Sequence, residues 1–317
     1  MTSIDIHHHF YPTSKDNEGR RWSVEMTLDE LDRNGITAAI GSLPPVRCTG
    51  SDDGCSQARR WNEWATRICL DHPGRLGVFA SLPLRDVDAA LAEFAYAYDV
   101  LHADGIGLPT NDGDTWLSDE RFLPLYEEMN RRKAVVFFHP YSTARCLDLG
   151  HAYGGDLISP AWLEFPTNTG RTILGLLATG VTRQFKDIRF IFCHGGGIMP
   201  ALLGRIAGFE GWDTVGPDTL ERTFPGGVHA AFARLYFDCA QAYAPEMFAL
   251  LRRIAPASHL LFGSDYSYFP VAHSVRQLNE LGLAEGVHAA VAGGNAAALF
   301  PRFDPGSQGK IRSGGNT

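Results

Sequence analysis

Ser3-Ile4-Asp5-Ile6-His7-His8-His9-Phe10 reads as a buried strand that ends in three histidines. Alternate residues of a strand share one face, so His7 and His9 point together and His8 points the other way. Imidazole is the commonest protein metal ligand near neutral pH, which makes this His-x-His pair a candidate metal site. The bland alternative is a remnant of a purification tag. Three histidines are too few for one, and the flanking Ile4-Asp5-Ile6 reads as core.

From this strand outward, short apolar runs alternate with helical stretches. The candidate strands are Ser3–His7, Thr37–Ser42, Leu76–Ser81, Gly105–Leu108, Ala134–His139, Ile188–Cys193, Leu235–Asp238 and His259–Ser264. Unbroken runs such as Val135-Val136-Phe137-Phe138 suit strands covered on both faces. Helices are expected over Leu28–Asn34, Asp86–Tyr98, Phe122–Arg132, Thr169–Gln184 and Pro245–Ile254. This alternation predicts parallel strands and a distorted (β/α)8 TIM barrel with its site at the C-terminal strand ends. A doubly wound open sheet would carry a glycine-rich phosphate turn after its first strand, where this chain has His-x-His. Residues 1–304 are expected to form one domain and 305–317, small and polar, a disordered tail. Tyr141–Phe165 reads as a long irregular connection that could cover the barrel mouth.

The chain has 317 residues, is 44% hydrophobic and carries a net charge of −8, so it can bury a large core. No basic block suggests nucleic acid as a partner. No run of about 18 apolar residues suggests a membrane span. The first apolar segment is interrupted by histidines and does not read as a signal peptide. The cysteines, Cys48, Cys55, Cys69, Cys146, Cys193 and Cys239, form no Cys-x-x-Cys pair and read as reduced thiols of a cytoplasmic protein. A Cys48–Cys55 disulfide within their shared polar loop is the alternative.

Chemistry-bearing residues recur where these strands end. His7 and His9 end the first, His139 the fifth and His194 the sixth, while Asp265 follows the eighth. A lone strand-end histidine is usually structural, and an Asp after Gly-Ser is a common cap. A barrel gathers all of these around one mouth. Three imidazoles and one carboxylate suit Zn²⁺, and also Mn²⁺ or Fe²⁺, with positions left for water or substrate. Binuclear enzymes of this barrel type commonly bridge their metals with a modified lysine after the fourth strand. Here that strand ends Gly107-Leu108-Pro109, which argues for one metal and leaves His194 as a base or donor beside it.

Together, Ile4-Asp5-Ile6-His7-x-His9-x-x-Pro12, Phe138-His139-Pro140, Cys193-His194-Gly195-Gly196-Gly197 and Gly263-Ser264-Asp265-Tyr266 resemble the aminocarboxymuconate-semialdehyde decarboxylase family of the amidohydrolase superfamily. The resemblance runs to Leu299-Phe300. It implies His7, His9, His139 and Asp265 as metal ligands and His194 as the catalytic histidine. It also implies that Arg205 binds substrate carboxylate across a subunit boundary, hence a homodimer or higher oligomer. A second carboxylate-binding arginine of that family has no clear counterpart; Arg20 or Arg21 stands nearest. Asp114-Thr115-Trp116-Leu117 and Glu164-Phe165-Pro166-Thr167-Asn168-Thr169-Gly170-Arg171 are similar to the 6-methylsalicylate-type decarboxylases.

What the resemblance implies is a metal-dependent, non-oxidative decarboxylase of a small aromatic acid of the ortho-hydroxybenzoate kind. Asp265 would donate the proton and His194 would orient the acid. Aromatic wall candidates are Trp22, Trp162, Phe165, Tyr268 and Phe269, each with core packing as the ordinary alternative. The same ligands would serve a metal-dependent hydrolase of an amide, lactone or C–C bond. A zinc-stabilised binding protein is the non-enzymatic alternative, with His194 surplus to its ligand set.

Overall fold

The computed structural model describes residues 2–15, 19–46, 54–143, 159–211 and 217–304. Eight parallel strands pair in chain order. They are β1 (Ile4–His9), β2 (Ala38–Ser42), β3 (Leu76–Ser81), β4 (Gly105–Pro109), β5 (Val135–His139), β6 (Arg189–Phe192), β7 (Tyr236–Asp238) and β8 (Leu260–Leu261). The chain closes on itself where the Ile6 N–H donates to the Phe262 carbonyl at 3.0 Å and the His9 N–H to the Tyr266 carbonyl at 2.8 Å. The result is the expected (β/α)8 barrel, distorted by its short last strands. A small antiparallel ribbon, Asn111–Asp112 with Thr115–Trp116, follows β4.

The main helices are α1 (Val24–Arg33), α2 (Gly54–Asp71), α3 (Val87–Asp99), α4 (Leu123–Arg131), α5 (Pro160–Ala178), α6 (Met199–Ala207), α7 (Pro245–Ile254) and α8 (Val271–Glu280). Strand residues split by parity into two cores. Ile4, Ile6, Ile40, Phe79, Phe137 and Ile191 form one cluster across the barrel interior, floored by Phe300 and Phe303. Val78, Val136, Phe138 and Phe192 pack outward among the helices.

Parity breaks once, and at the decisive place. The β1–β2 register shifts between Asp5 and His8. Ile6 belongs to the interior cluster, and its neighbour His7 also faces inward, with its ring 5.2 Å from that of Phe137. Strict alternation does not foresee this, because it cannot see a bulge.

Helix limits also differ from expectation. The α5 helix begins at Pro160, with Ser159 as its cap, rather than at Thr169, so Pro160–Phe165 is helical and not irregular. Pro166 inside it suggests a break in the sequence, yet the helix continues through it. It ends at Ala178, before Gly180 at φ +80°, so the expected Thr169–Gln184 helix is two. The tail 305–317, Cys48 and Cys146, and residues 144–158 of the expected connection lie outside the described residues.

Candidate metal centre and active site

The expected residues converge at the C-terminal mouth of the barrel. His7, His139, His194 and Asp265 each offer a ligand atom, all within 4.8 Å of one another. His9 is not in that tightest set, but its Nε2 lies 2.9 Å from Asp265 Oδ1. His7 Nε2 is 3.2 Å from the same oxygen, and His194 Nε2 is 3.4 Å from Asp265 Oδ2. Asp265 is thus the hub.

Three of the imidazoles are oriented from behind. His7 Nδ1 faces Asp238 Oδ2 at 3.0 Å, His139 Nδ1 faces the Pro140 carbonyl at 3.0 Å, and His9 Nδ1 faces Ser42 Oγ at 3.3 Å. Fixing Nδ1 in this way leaves Nε2 for the centre, as in metal sites. His7 Nε2 is buried and has no hydrogen-bond partner. An orphaned imidazole nitrogen beside a carboxylate is what a metal ligand looks like, so this donor set fits a divalent ion.

The electrostatics agree. Burial works against a charge on His7, but Asp238 and Asp265 outweigh it and raise its pKa to about 10. Burial, together with the charges of His9 and His7, holds His139 well below the ordinary histidine value. Burial lowers His9 as well, against the pull of Asp265. Burial resists ionisation of Asp265, yet the neighbouring His7 and His194 bring it well below the usual carboxylate range. Two buried carboxylates therefore compete for positive charge at His7, where a proton or a metal ion can supply it.

Local backbone makes this convergence possible. His194 (φ +55°) and Asp265 (φ +61°) both adopt the left-handed conformation where their strands end. Gly197 (φ +60°) follows the His194 turn so tightly against α5 that a Cβ there would lie 2.2 Å from the Pro166 carbonyl oxygen. At Gly263, a Cβ would meet His7 Cβ at 2.8 Å and Asp238 Oδ1 at 2.9 Å.

His8 points away from the centre, as expected. Its ring nitrogens meet Asp5 Oδ2 at 3.0 Å and Thr27 Oγ1 at 3.3 Å. Asp5 also accepts the Ser264 hydroxyl at 2.5 Å and the Ser264 N–H at 3.0 Å, which ties β1 to the segment carrying Asp265.

A cavity opens over the centre. Phe165, Tyr268, Trp162 and Phe269 line it together with His9, His139, His194 and Asp265. Trp22 is a correction: it is 4% exposed, lies outside the lining, and packs against Phe10, Tyr11 and Trp64. An aromatic residue close in sequence to the histidines was better read as core. Arg205 is exposed on α6, its guanidinium 5.4 Å from the Phe209 ring, and lies outside the lining of the cavity. Arg20 does line it, 5.5 Å from the centre of the Tyr268 ring. Sequence reasoning missed Asp238, Ser42 and the Pro140 carbonyl. Asp238 had a usable signal as the acid ending the seventh strand.

Residues 4–302 match the amidohydrolase family. A decarboxylase of Aspergillus niger is 34% identical over an alignment covering 96% of this chain and 88% of that protein. A 6-methylsalicylic acid decarboxylase of Aspergillus aculeatus is 33% identical, with 95% and 96% covered. A dihydroxybenzoic acid decarboxylase from Polaromonas, solved with bound manganese and the inhibitor 2-nitroresorcinol, shares the fold with a TM-score of 0.83 at 18% identity, covering 95% of this chain and 97% of that one.

Proposed function

This chain belongs to the amidohydrolase family, as a carboxy-lyase, and we propose that it decarboxylates a small aromatic acid of the ortho-hydroxybenzoate class without an oxidant. The observation that carries the reading is the triplet of imidazoles, His7 and His9 buried and His139 half-buried, whose Nδ1 atoms are each held by an oxygen, around the Asp265 hub. His7, His9, His139 and Asp265 would hold one divalent ion, Zn²⁺ or Mn²⁺. When bound, it would supply Lewis-acid stabilisation of negative charge on the acid.

The chain's own residues account for the proton. Asp265 is ionised before the acid enters. The acid gives up its ortho hydroxyl proton to Asp265 as it binds, and Asp265 then delivers that proton to the ring carbon bearing the carboxylate. The electron pair of the breaking C–C bond restores the aromatic ring as CO₂ leaves. His194, within reach of Asp265, orients the acid and stabilises developing charge. Phe165 and Tyr268 form walls for the ring.

The reading includes a homodimer or higher oligomer in which Arg205 serves a neighbouring site. Its position outside its own subunit's cavity supports this. Mixing Arg205→Ala with His139→Ala protein should restore activity in verified heterodimers, and no recovery there would argue against a shared site. The reading also places the protein in the cytoplasm, supported by the unpaired, buried Cys69, Cys193 and Cys239. No helix among the described residues is long and apolar enough to cross a membrane.

The test is CO₂ release from a panel of ortho-hydroxybenzoates, 6-methylsalicylate included, by protein loaded with Mn²⁺ or Zn²⁺. Release that needs metal and is abolished in Asp265→Asn supports the assignment. Silence across the panel with metal bound would favour hydrolysis of a lactone, amide or C–C bond.

A further inference from the structure

The structure assigns Gln241 as a specificity-determining residue whose carboxamide hydrogen-bonds a polar ring substituent of the aromatic acid. This rests on the decarboxylase reading above and goes on to say which acids the site prefers.

Three consecutive barrel strands, β6, β7 and β8, lead into a non-glycine residue in the left-handed conformation. These are His194, Gln241 (φ +50°) and Asp265. His194 and Asp265 belong to the candidate metal centre, and Gln241, an exposed residue, lines the same cavity. Among the described residues, the other non-glycine residues with positive φ are Ser14, His102 and Lys133. Lys133 closes the end of α4 by donating to the Asn130 carbonyl, and His102 lies just past the end of α3, where such conformations are ordinary.

Gln241 is the third residue of a tight turn, closed by the Ala242 N–H donating to the Cys239 carbonyl at 2.9 Å. With Gln241 at φ +50° and Ala240 not at positive φ, the turn is of the type II kind, in which glycine is the usual occupant of the third position. The turn is held rigidly. Asp238 Oδ1 accepts the Ala240 N–H at 2.9 Å and the His194 N–H at 3.3 Å, while Oδ2 faces His7. The carboxylate that orients a metal-type histidine therefore also fixes the turn presenting Gln241. A residue held in an unfavourable conformation by its surroundings, at a cavity, is where function is expected to show.

The chemistry of the side chain selects the ligand class. The cavity lining that Gln241 shares includes apolar Ala242, Met247 and Phe165. A carboxamide both donates and accepts, so it matches a hydroxyl or carbonyl substituent that an apolar wall would reject.

The experiment compares salicylate with a dihydroxybenzoate carrying one further hydroxyl, using Mn²⁺-loaded wild type, Gln241→Gly and Gln241→Leu. Glycine relieves the backbone conformation, so Gln241→Gly should melt no lower than wild type. In both variants kcat/KM for the dihydroxy acid should fall about tenfold relative to salicylate. A merely structural role would move both acids together, so an unchanged ratio overturns the assignment. Should wild type release CO₂ from neither acid, the decarboxylase reading fails separately. The same ratio is then read from calorimetric Kd values for the two acids. Loss of preference for the dihydroxy acid in the variants supports the assignment, and equal affinities in wild type, or no binding of either acid, overturn it.

Discussion

His7 Nδ1 lies 3.0 Å from Asp238 Oδ2, and both side chains are wholly buried. The pair joins the first strand to the seventh behind the site. The carboxylate fixes which imidazole nitrogen faces the centre and makes that nitrogen a better donor. Asp238→Asn keeps the shape but removes the charge. We expect metal affinity or activity to fall about 10–100-fold with the fold retained. Metal content after dialysis, with kcat on the metal-saturated variant, checks this; full retention of both would show that the pair only packs.

The same pair sets the pH response. In metal-free protein the folded pKa of His7 is raised above its ordinary 6.5, to about 10. Its contribution to stability is thus complete below about 6.5 and is lost as pH rises through about 10. A metal ion must displace that proton, so binding should weaken as pH falls and release about one proton per ion near pH 8. Calorimetric titration with Mn²⁺ in buffers of different ionisation enthalpy measures the number. A value near zero would mean that His7 is already neutral.

Much of this site was legible in the sequence because its residues sit at strand ends, and strand ends share one mouth in a barrel. His7, His9, His139, His194 and Asp265 all converge there. Asp238 was passed over because an acid closing a short strand looks like a cap, and its partner lies 231 residues away. The α2 helix escaped notice because most of its buried positions are small or polar, Gly54, Ala58, Asn62, Ala65 and Cys69, with Ile68 the one large apolar residue among them. Yet Asn62 holds the end of β3, accepting the Ser81 N–H and donating to the Ser81 carbonyl, both at 2.9 Å. Trp22 failed in the opposite direction, since nearness in sequence to a site says nothing about which face a ring takes.

Chelation separates a catalytic ion from a structural one. Apart from the His7 ring edge-on to Phe137, the interior cluster and its Phe300 and Phe303 floor are built from apolar side chains and not from the proposed ligands. Metal removal should therefore abolish activity while far-UV circular dichroism stays unchanged, with the melting temperature lowered by the lost binding energy alone. Cooperative unfolding on addition of chelator at 25 °C would instead make the ion part of the fold.

The opposite end of the barrel should behave independently of the chemistry. Phe300 is 3% exposed and packs edge-on against Phe79, with ring centres 5.9 Å apart. Arg302 beside it donates from Nη2 to Asp104 at 2.6 Å and to the Leu76 carbonyl at 3.0 Å, which pins this C-terminal floor to β3. Phe300→Ala empties the base of the interior and should cost about 3–5 kcal/mol of stability. Because the cavity lies at the other end of the strands, kcat at a temperature where the variant stays folded should change less than about twofold. Denaturant unfolding and steady-state kinetics on one preparation test both halves. A large fall in kcat without loss of stability would mean that the floor and the metal centre are coupled through the Phe79 and Phe137 rings, which stack 5.1 Å apart between them.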